Sequence, residues 1–155
     1  MPDSLYDRDF VAWSESQADR LRRLAAGERV NDLDWVNLIE EVETLGRSET
    51  TGVRSFLRLA LLHALKVIAW PQSSAGRKWR NEIGNFLAEA RDRFTPSMAQ
   101  AIDVEEVYRA ARRQLAGLSM PSTPGPVPER LTMTLGDLLD EELTPDALIA
   151  RLRDE

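Results

Sequence analysis

The stretch LDWVNLIEEVETLGRSETTGVRSFLRLALLHALKVIAW, residues 33–70, decides the fold. Taking about 100° per residue from Trp35 as zero, Leu38, Val42, Leu45, Val53, Phe56, Leu57, Ala60, Ala64 and Val67 all fall within roughly 80° of one direction. A single apolar stripe therefore keeps its phase over the whole stretch, as an α-helix requires and a strand does not. Beyond Gly52, Leu59, Leu62 and Leu65 add an opposite apolar face. A segment apolar all round is surrounded by other helices, so this half is the expected centre of the core.

Gly46, Gly52 and the polar run Arg47-Ser48-Glu49-Thr50-Thr51 between them are the weakest place for helix in the stretch. About 36 unbroken residues would reach roughly 54 Å, against a radius of gyration near 15 Å for a compact domain of this length. A kink or break at Gly46–Gly52 is the expectation. Glu49 then occupies the first turn after a Ser48 cap and faces solvent. In a continuous helix it instead lies on the apolar stripe and needs a cationic partner.

Outward from this stretch, Tyr6, Phe10, Trp13, Leu21 and Leu24 recur at helical spacing, with Gln17 filling the gap and Gly27 as a stop. Asn31, Asp32 and Asp34 are candidate caps for the next helix. Pro71 ends the central helix, and Gln72–Gly76 reads as a loop. A helix over 77–94 carries Trp79, Ile83, Phe86, Leu87, Ala90 and Phe94 on one face. Thr95-Pro96 marks a further start with threonine as cap, before a helix bearing Ile102, Val104, Val107, Tyr108, Ala111, Leu115 and Leu118. Ser119–Pro128 holds four prolines and reads as a linker or surface-wrapping arm. Two short helices follow, 135–142 capped by Thr134 and 145–153 capped by Thr144, the last only loosely attached. The expectation is an all-α, single-domain helical bundle over residues 1–142 with a short C-terminal helical extension over 143–155.

At 155 residues with 43% hydrophobic and 30% charged side chains, the chain has a globular balance. No apolar run reaches the roughly 20 residues of a bilayer span. The N-terminus lacks a basic stretch followed by an apolar one, so a cytoplasmic location is expected. Without cysteine, disulfides and thiolate chemistry are excluded. A net charge of −6 argues against strong non-specific nucleic-acid affinity. No residue pattern demands a cofactor.

His63, the only histidine, is the first place to look for acid–base chemistry; a hydrogen-bonded structural role is the plainer reading. Glu40, Glu41, Glu43 and Glu49 form the richest carboxylate group, and Glu40 with Glu43 stand one turn apart, where two carboxylates can hold a divalent ion. Glu40, Glu43, Glu49 and His63 are thus the catalytic candidates, and a metal-dependent hydrolase would use Glu40 and Glu43 with His63 as a further member. The paired-helix motif of the all-α nucleotide pyrophosphohydrolases is only partly matched: Thr44 and Leu45 interrupt it, and Glu89 with Asp92 is remote along the chain. Arg77, Lys78 and Arg80 flank Trp79, a basic cluster that suggests stacking on nucleic acid, while Trp79 also fits its helix's core face. Trp35, Trp70, Trp79 and Arg80 are the partner-binding candidates, because tryptophan and arginine concentrate at binding hot spots.

The chain resembles a bacterial family known only as a domain of unknown function, number twenty-nine in its series. The resemblance rests on Tyr6-x-x-Asp9-Phe10-x-x-Trp13, then Asn37-Leu38-x-Glu40-Glu41-x-Glu43-x-Leu45-Gly46-Arg47-Ser48-Glu49, then Leu61-Leu62-His63-x-Leu65-Lys66, with Trp79 and Tyr108-x-x-Ala111-Arg112 beyond. It implies a small helical bacterial protein without established activity. With no specific catalytic set, the leading expectation is a protein–protein interaction or adaptor module acting through a helix face or by self-association. Divalent-metal hydrolysis and weak nucleic-acid binding are the alternatives.

Overall fold

A computed structural model describes residues 4–154, and no strand occurs among them. The helices are α1 (Leu5–Arg8), α2 (Phe10–Ala25), α3 (Trp35–Ala69), α4 (Gly76–Arg93), α5 (Val104–Ala116), α6 (Leu135–Leu139) and α7 (Pro145–Arg153), with a 3₁₀ turn at Pro96–Gln100. The chain divides into two compact units, Met1–Arg47 and Ser48–Glu155, so that α3 contributes its first part to one and its remainder to the other. The all-α class read from the periodicity is the class observed. The boundary placed after residue 142 does not coincide with this division.

The first unit is a helical hairpin. Ser4 and Asp7 form a capping box on α1, and Asp9 caps α2 by accepting from the Ala12 N–H. Gly27 ends α2 at φ 88°, the left-handed region where a side chain is strained. Asp34 then opens α3, its Oδ1 accepting from the Asn37 N–H at 3.4 Å.

The expected break in α3 is not there: the helix runs without interruption from Trp35 to Ala69. Two glycines cost only about 1 kcal/mol each, and an established helix propagates through such residues because each adds a hydrogen bond. Glu49 is exposed nonetheless; Leu45 and Val42, one and two turns before it, are bare as well. Gly52→Ala is therefore expected to stabilise the protein by about 0.5–1 kcal/mol in urea denaturation, since a methyl group there meets nothing within 4 Å. No gain would mean that the helix is broken at that point.

The second unit holds the core, centred as expected on the later half of α3. Val53, Leu57, Leu61, Leu65, Ile83, Leu87, Tyr108, Leu138, Leu148 and Leu152 are all buried. Thr95 precedes the 3₁₀ turn but makes no side-chain cap; Asp103 caps the true helix, α5, by accepting from the Glu105 and Glu106 N–H groups. The proline-rich segment wraps the bundle instead of linking away from it. The Gly125 N–H donates to the Ala69 carbonyl at 2.8 Å, the Trp70 indole to Ser122 at 2.9 Å and the Tyr108 hydroxyl to Pro128 at 2.6 Å. These bonds satisfy backbone groups that an extended arm cannot pair internally.

The arm delivers α6 and α7 to the core. Thr134 forms a capping box with Asp137, and Thr144 caps α7; α6 ends at Leu139, three residues short of the expected position. Residues 143–155 are not a loosely attached extension, because Leu148, Ile149 and Leu152 are buried.

Candidate functional site

In the first unit, polar bonds and rings lock the two helices. The Trp13 indole donates to Asp34 Oδ2 at 3.0 Å, which also accepts from the Asn37 amide at 2.7 Å. These two donors, Asn37 first, hold the Asp34 carboxyl below its ordinary value. Gln17 accepts from the Asp34 N–H, and Arg20 pairs with Asp32 at 2.8 Å. The Tyr6 hydroxyl donates to Glu41, and that carboxylate pushes the phenol up to about 12. Tyr6, Phe10 and Trp13 pack ring against ring, 4.8–5.7 Å between centroids. Tyr6, Phe10, Trp13, Asn37 and Glu41, which carry part of the family resemblance, thus take part in this lock.

What this lock leaves open is the apolar stripe. Trp35 is 55% exposed, Val36 80%, Ile39 56%, Val42 68% and Leu45 67%. Leu21 of α2 joins Trp35, Leu38, Ile39 and Val42, with Glu43 at the edge, to line an open groove of about 270 Å³. In the second unit the same angular sector of α3, from Val53 through Leu57 and Ala60 to Ala64, is fully covered. Periodicity alone named the stripe but had no means of telling its covered half from its bare one. Val36, Ile39 and Leu21 were consequently not among the sequence candidates.

The carboxylate candidates do not converge. Glu40 and Glu43 share Arg47, at 3.1 and 3.8 Å, in exposed pairs worth about 0–1 kcal/mol. Among the described residues no group of three or more metal-ligating side chains forms.

His63 is buried between α3 and α4. Its Nδ1–H donates to the Leu59 carbonyl at 2.8 Å, and Nε2 lies 2.8 Å from Glu82 Oε2. Phe86 packs beside the ring at 5.3 Å. Burial pulls the imidazole below its ordinary value and the Lys66 ammonium adds to this, while the Leu59 carbonyl and Glu82 pull the other way. Lys66, itself lowered by burial, sits over the Trp79 ring at 5.6 Å. Glu82 had no signal in the sequence, because nothing in its spacing from His63 marks the pair. The arrangement ties α3 to α4 and gives a pH signature. A lowered folded pKa means that neutral imidazole favours folding above about pH 6.5, the unfolded value, and that this contribution is lost as pH falls through that value. In urea denaturation, the stability of wild type over His63→Gln is expected to shrink between pH 7.5 and 5.5. A difference that widens would show that Glu82 outweighs burial.

The other partner-binding candidates are occupied. Trp70 is buried and lines a cleft of about 490 Å³ with Pro71, Ser73 and Met120. Trp79 is buried, and Arg80 pairs with Asp146 at 2.9 Å and with the Gly76 carbonyl at 3.2 Å. Lys78 stands 3.9 Å from Glu82. Of the four tryptophans, Trp13, Trp70 and Trp79 are buried and Trp35 is exposed.

No helix among the described residues is long and apolar enough to cross a membrane. No curated protein matches the chain. An α-helical protein of unknown function from Rhodospirillum rubrum, solved by crystallography, is similar to it: 28% identical, with a TM-score of 0.66 over 97% of this chain and 98% of that one. The model of the family described as domain of unknown function DUF29 matches residues 5–144. With nearly its whole length matched and several of its motif residues found locking the helices together, the chain belongs to that family.

Proposed function

We propose that the protein is a protein–protein interaction module whose binding surface is the apolar face of the α2–α3 hairpin. The observation that carries this reading is the exposure of Trp35, Val36, Ile39, Val42 and Leu45 in one helix segment. Monomeric proteins rarely expose contiguous apolar patches above a few hundred Å², and larger ones mark interaction sites. Covering a large apolar side chain yields about 1.5–3 kcal/mol, so several together offset an association cost on the order of 4–15 kcal/mol. An exposed tryptophan beside an apolar groove is the anchor type found at such surfaces, and the groove suits an amphipathic helix.

A photoreactive amino acid placed at Ile39 or Val42 in the native host tests this. It is expected to join the chain covalently to a protein from both positions, and not from Lys78 on α4. Absence of any protein adduct from either position counts against the reading, as does equal labelling from Lys78.

A further inference from the structure

We infer that the occupant of this face is a second copy of the chain: two α2–α3 hairpins pair about a two-fold axis into a four-helix bundle, their α3 segments antiparallel and centred between Glu40 and Glu41. This rests on the reading of the hairpin face as a binding surface.

The first argument is area. At side-chain areas on the order of 150–200 Å² each, Trp35, Ile39, Val42, Leu45 and Leu21 leave on the order of 500 Å² of apolar surface open. A standard interface takes roughly 800 Å² from each partner, so the face has the size of half a dimer interface once a polar rim is added. A hairpin that pairs with its own copy also completes the layer architecture that two helices lack, as in antiparallel bundles.

The second argument is register. Gly46 lies only about 20° from Trp35 around the helix, at the middle of the stripe, and a side-chain carbon there meets nothing within 4 Å. A glycine weakens a helix interior, and the space beside this one is open to a side chain. With the axis between Glu40 and Glu41, Trp35 of one copy comes level with Gly46 of the other, and Ile39 comes level with Val42. The largest side chain of the stripe meets its smallest residue at both ends, with two branched aliphatics between them. This is the large-to-small alternation by which facing helices fill space. It is also self-complementary, as a two-fold interface must be. A parallel pairing puts Trp35 against Trp35 and leaves a gap at Gly46. Glu40 and Glu41 themselves point more than 90° away from the stripe centre, so the axis keeps these two carboxylates out of the apolar seam, and Glu43, at the groove edge, is paired with Arg47 at 3.8 Å.

Sedimentation equilibrium of the full chain tests the inference, with far-UV circular dichroism as the check on folding. Wild type is expected at twice the chain mass in the range of tens of μM. Val42→Glu, at an exposed site, is expected to keep its helicity and weaken the dimer by about 100-fold or more. Gly46→Leu gives the sharper discrimination. It improves helix propensity, so a purely structural glycine predicts an unchanged or more stable assembly, whereas a socket for Trp35 predicts about 10-fold or greater weakening. Because the chain has no cysteine, a Trp35→Cys, Gly46→Cys double variant is expected to oxidise to a covalent dimer. A wild type monomeric at about 100 μM, or a dimer indifferent to both Val42→Glu and Gly46→Leu, overturns the inference. If the photoreactive residue at Ile39 then captures a different protein, the hairpin remains a binding surface with another occupant. If it captures nothing, both readings fall.

Discussion

A chain ended at Leu143 is expected to lose the cooperative unfolding of the second unit, not merely to shed a tail. Helix α7 is nine residues long, too short to hold itself together in water, so its order comes from what it packs against. Leu148, Ile149 and Leu152 are buried, and covering each contributes about 1.5–3 kcal/mol. Their joint loss is on the order of 5–9 kcal/mol, comparable with the 5–15 kcal/mol that holds a whole domain folded. The anchoring is polar as well: Arg91 donates to the carbonyls of Asp140 and Leu143 at 2.7 and 3.0 Å, fixing the turn that launches α7. Circular dichroism melting of the truncated chain is expected to show a broad, low-temperature loss of helix. The milder Leu148→Ala keeps the helix and is expected to cost about 2–5 kcal/mol. A truncated chain that melts sharply within a few degrees of wild type would show α7 to be the loose extension that its place after the proline-rich segment suggests.

The second large effect lies on α3. Val53 is completely buried, sharing the core with Leu57 and Ala60. Val53→Glu places a carboxylate among buried apolar side chains, and burying an unpaired charge costs above about 4 kcal/mol. Loss of the cooperative urea transition is the expected result. Partial rescue by Val53→Gln at the same position would identify the charge, over and above lost packing, as the cause.

The fold was readable to the extent that it is local. A period of 3.6 residues announces a helix wherever one face is buried, and Thr134, Thr144 and Gly27 mark ends because the chemistry of capping and of positive φ is local too. Where the reading departs from the structure, distant partners or cooperativity decide. The run from Gly46 to Gly52 is poor helix former by residue, yet α3 is carried through it by the helical segments on either side. Residues 143–155 look detached because the sequence cannot show that the arm turns back over Ala69, Trp70 and Tyr108 before delivering α7.

The candidate site divides the same way. That Trp35, Val42 and Leu45 share one face with Val53 and Leu57 follows from counting; that the first three are bare and the last two covered depends on what folds over each half. The carboxylates attract attention as a cluster, but Arg47 takes Glu40 and Glu43, and Tyr6 binds Glu41. His63 is engaged by Glu82, nineteen residues away, whose position no spacing rule marks.

The central claim is that one continuous stripe is core in its second half and a recognition surface in its first. The most direct test compares one substitution in the two halves, Val42→Glu and Val53→Glu, by urea denaturation in dilute solution where a second copy is absent. Val42→Glu is expected to stay within about 0.5 kcal/mol of wild type, as surface changes do, while Val53→Glu unfolds. If Val42→Glu proved as disruptive as Val53→Glu, the first half of the stripe would be buried within the protein's own fold, and the recognition surface would not exist.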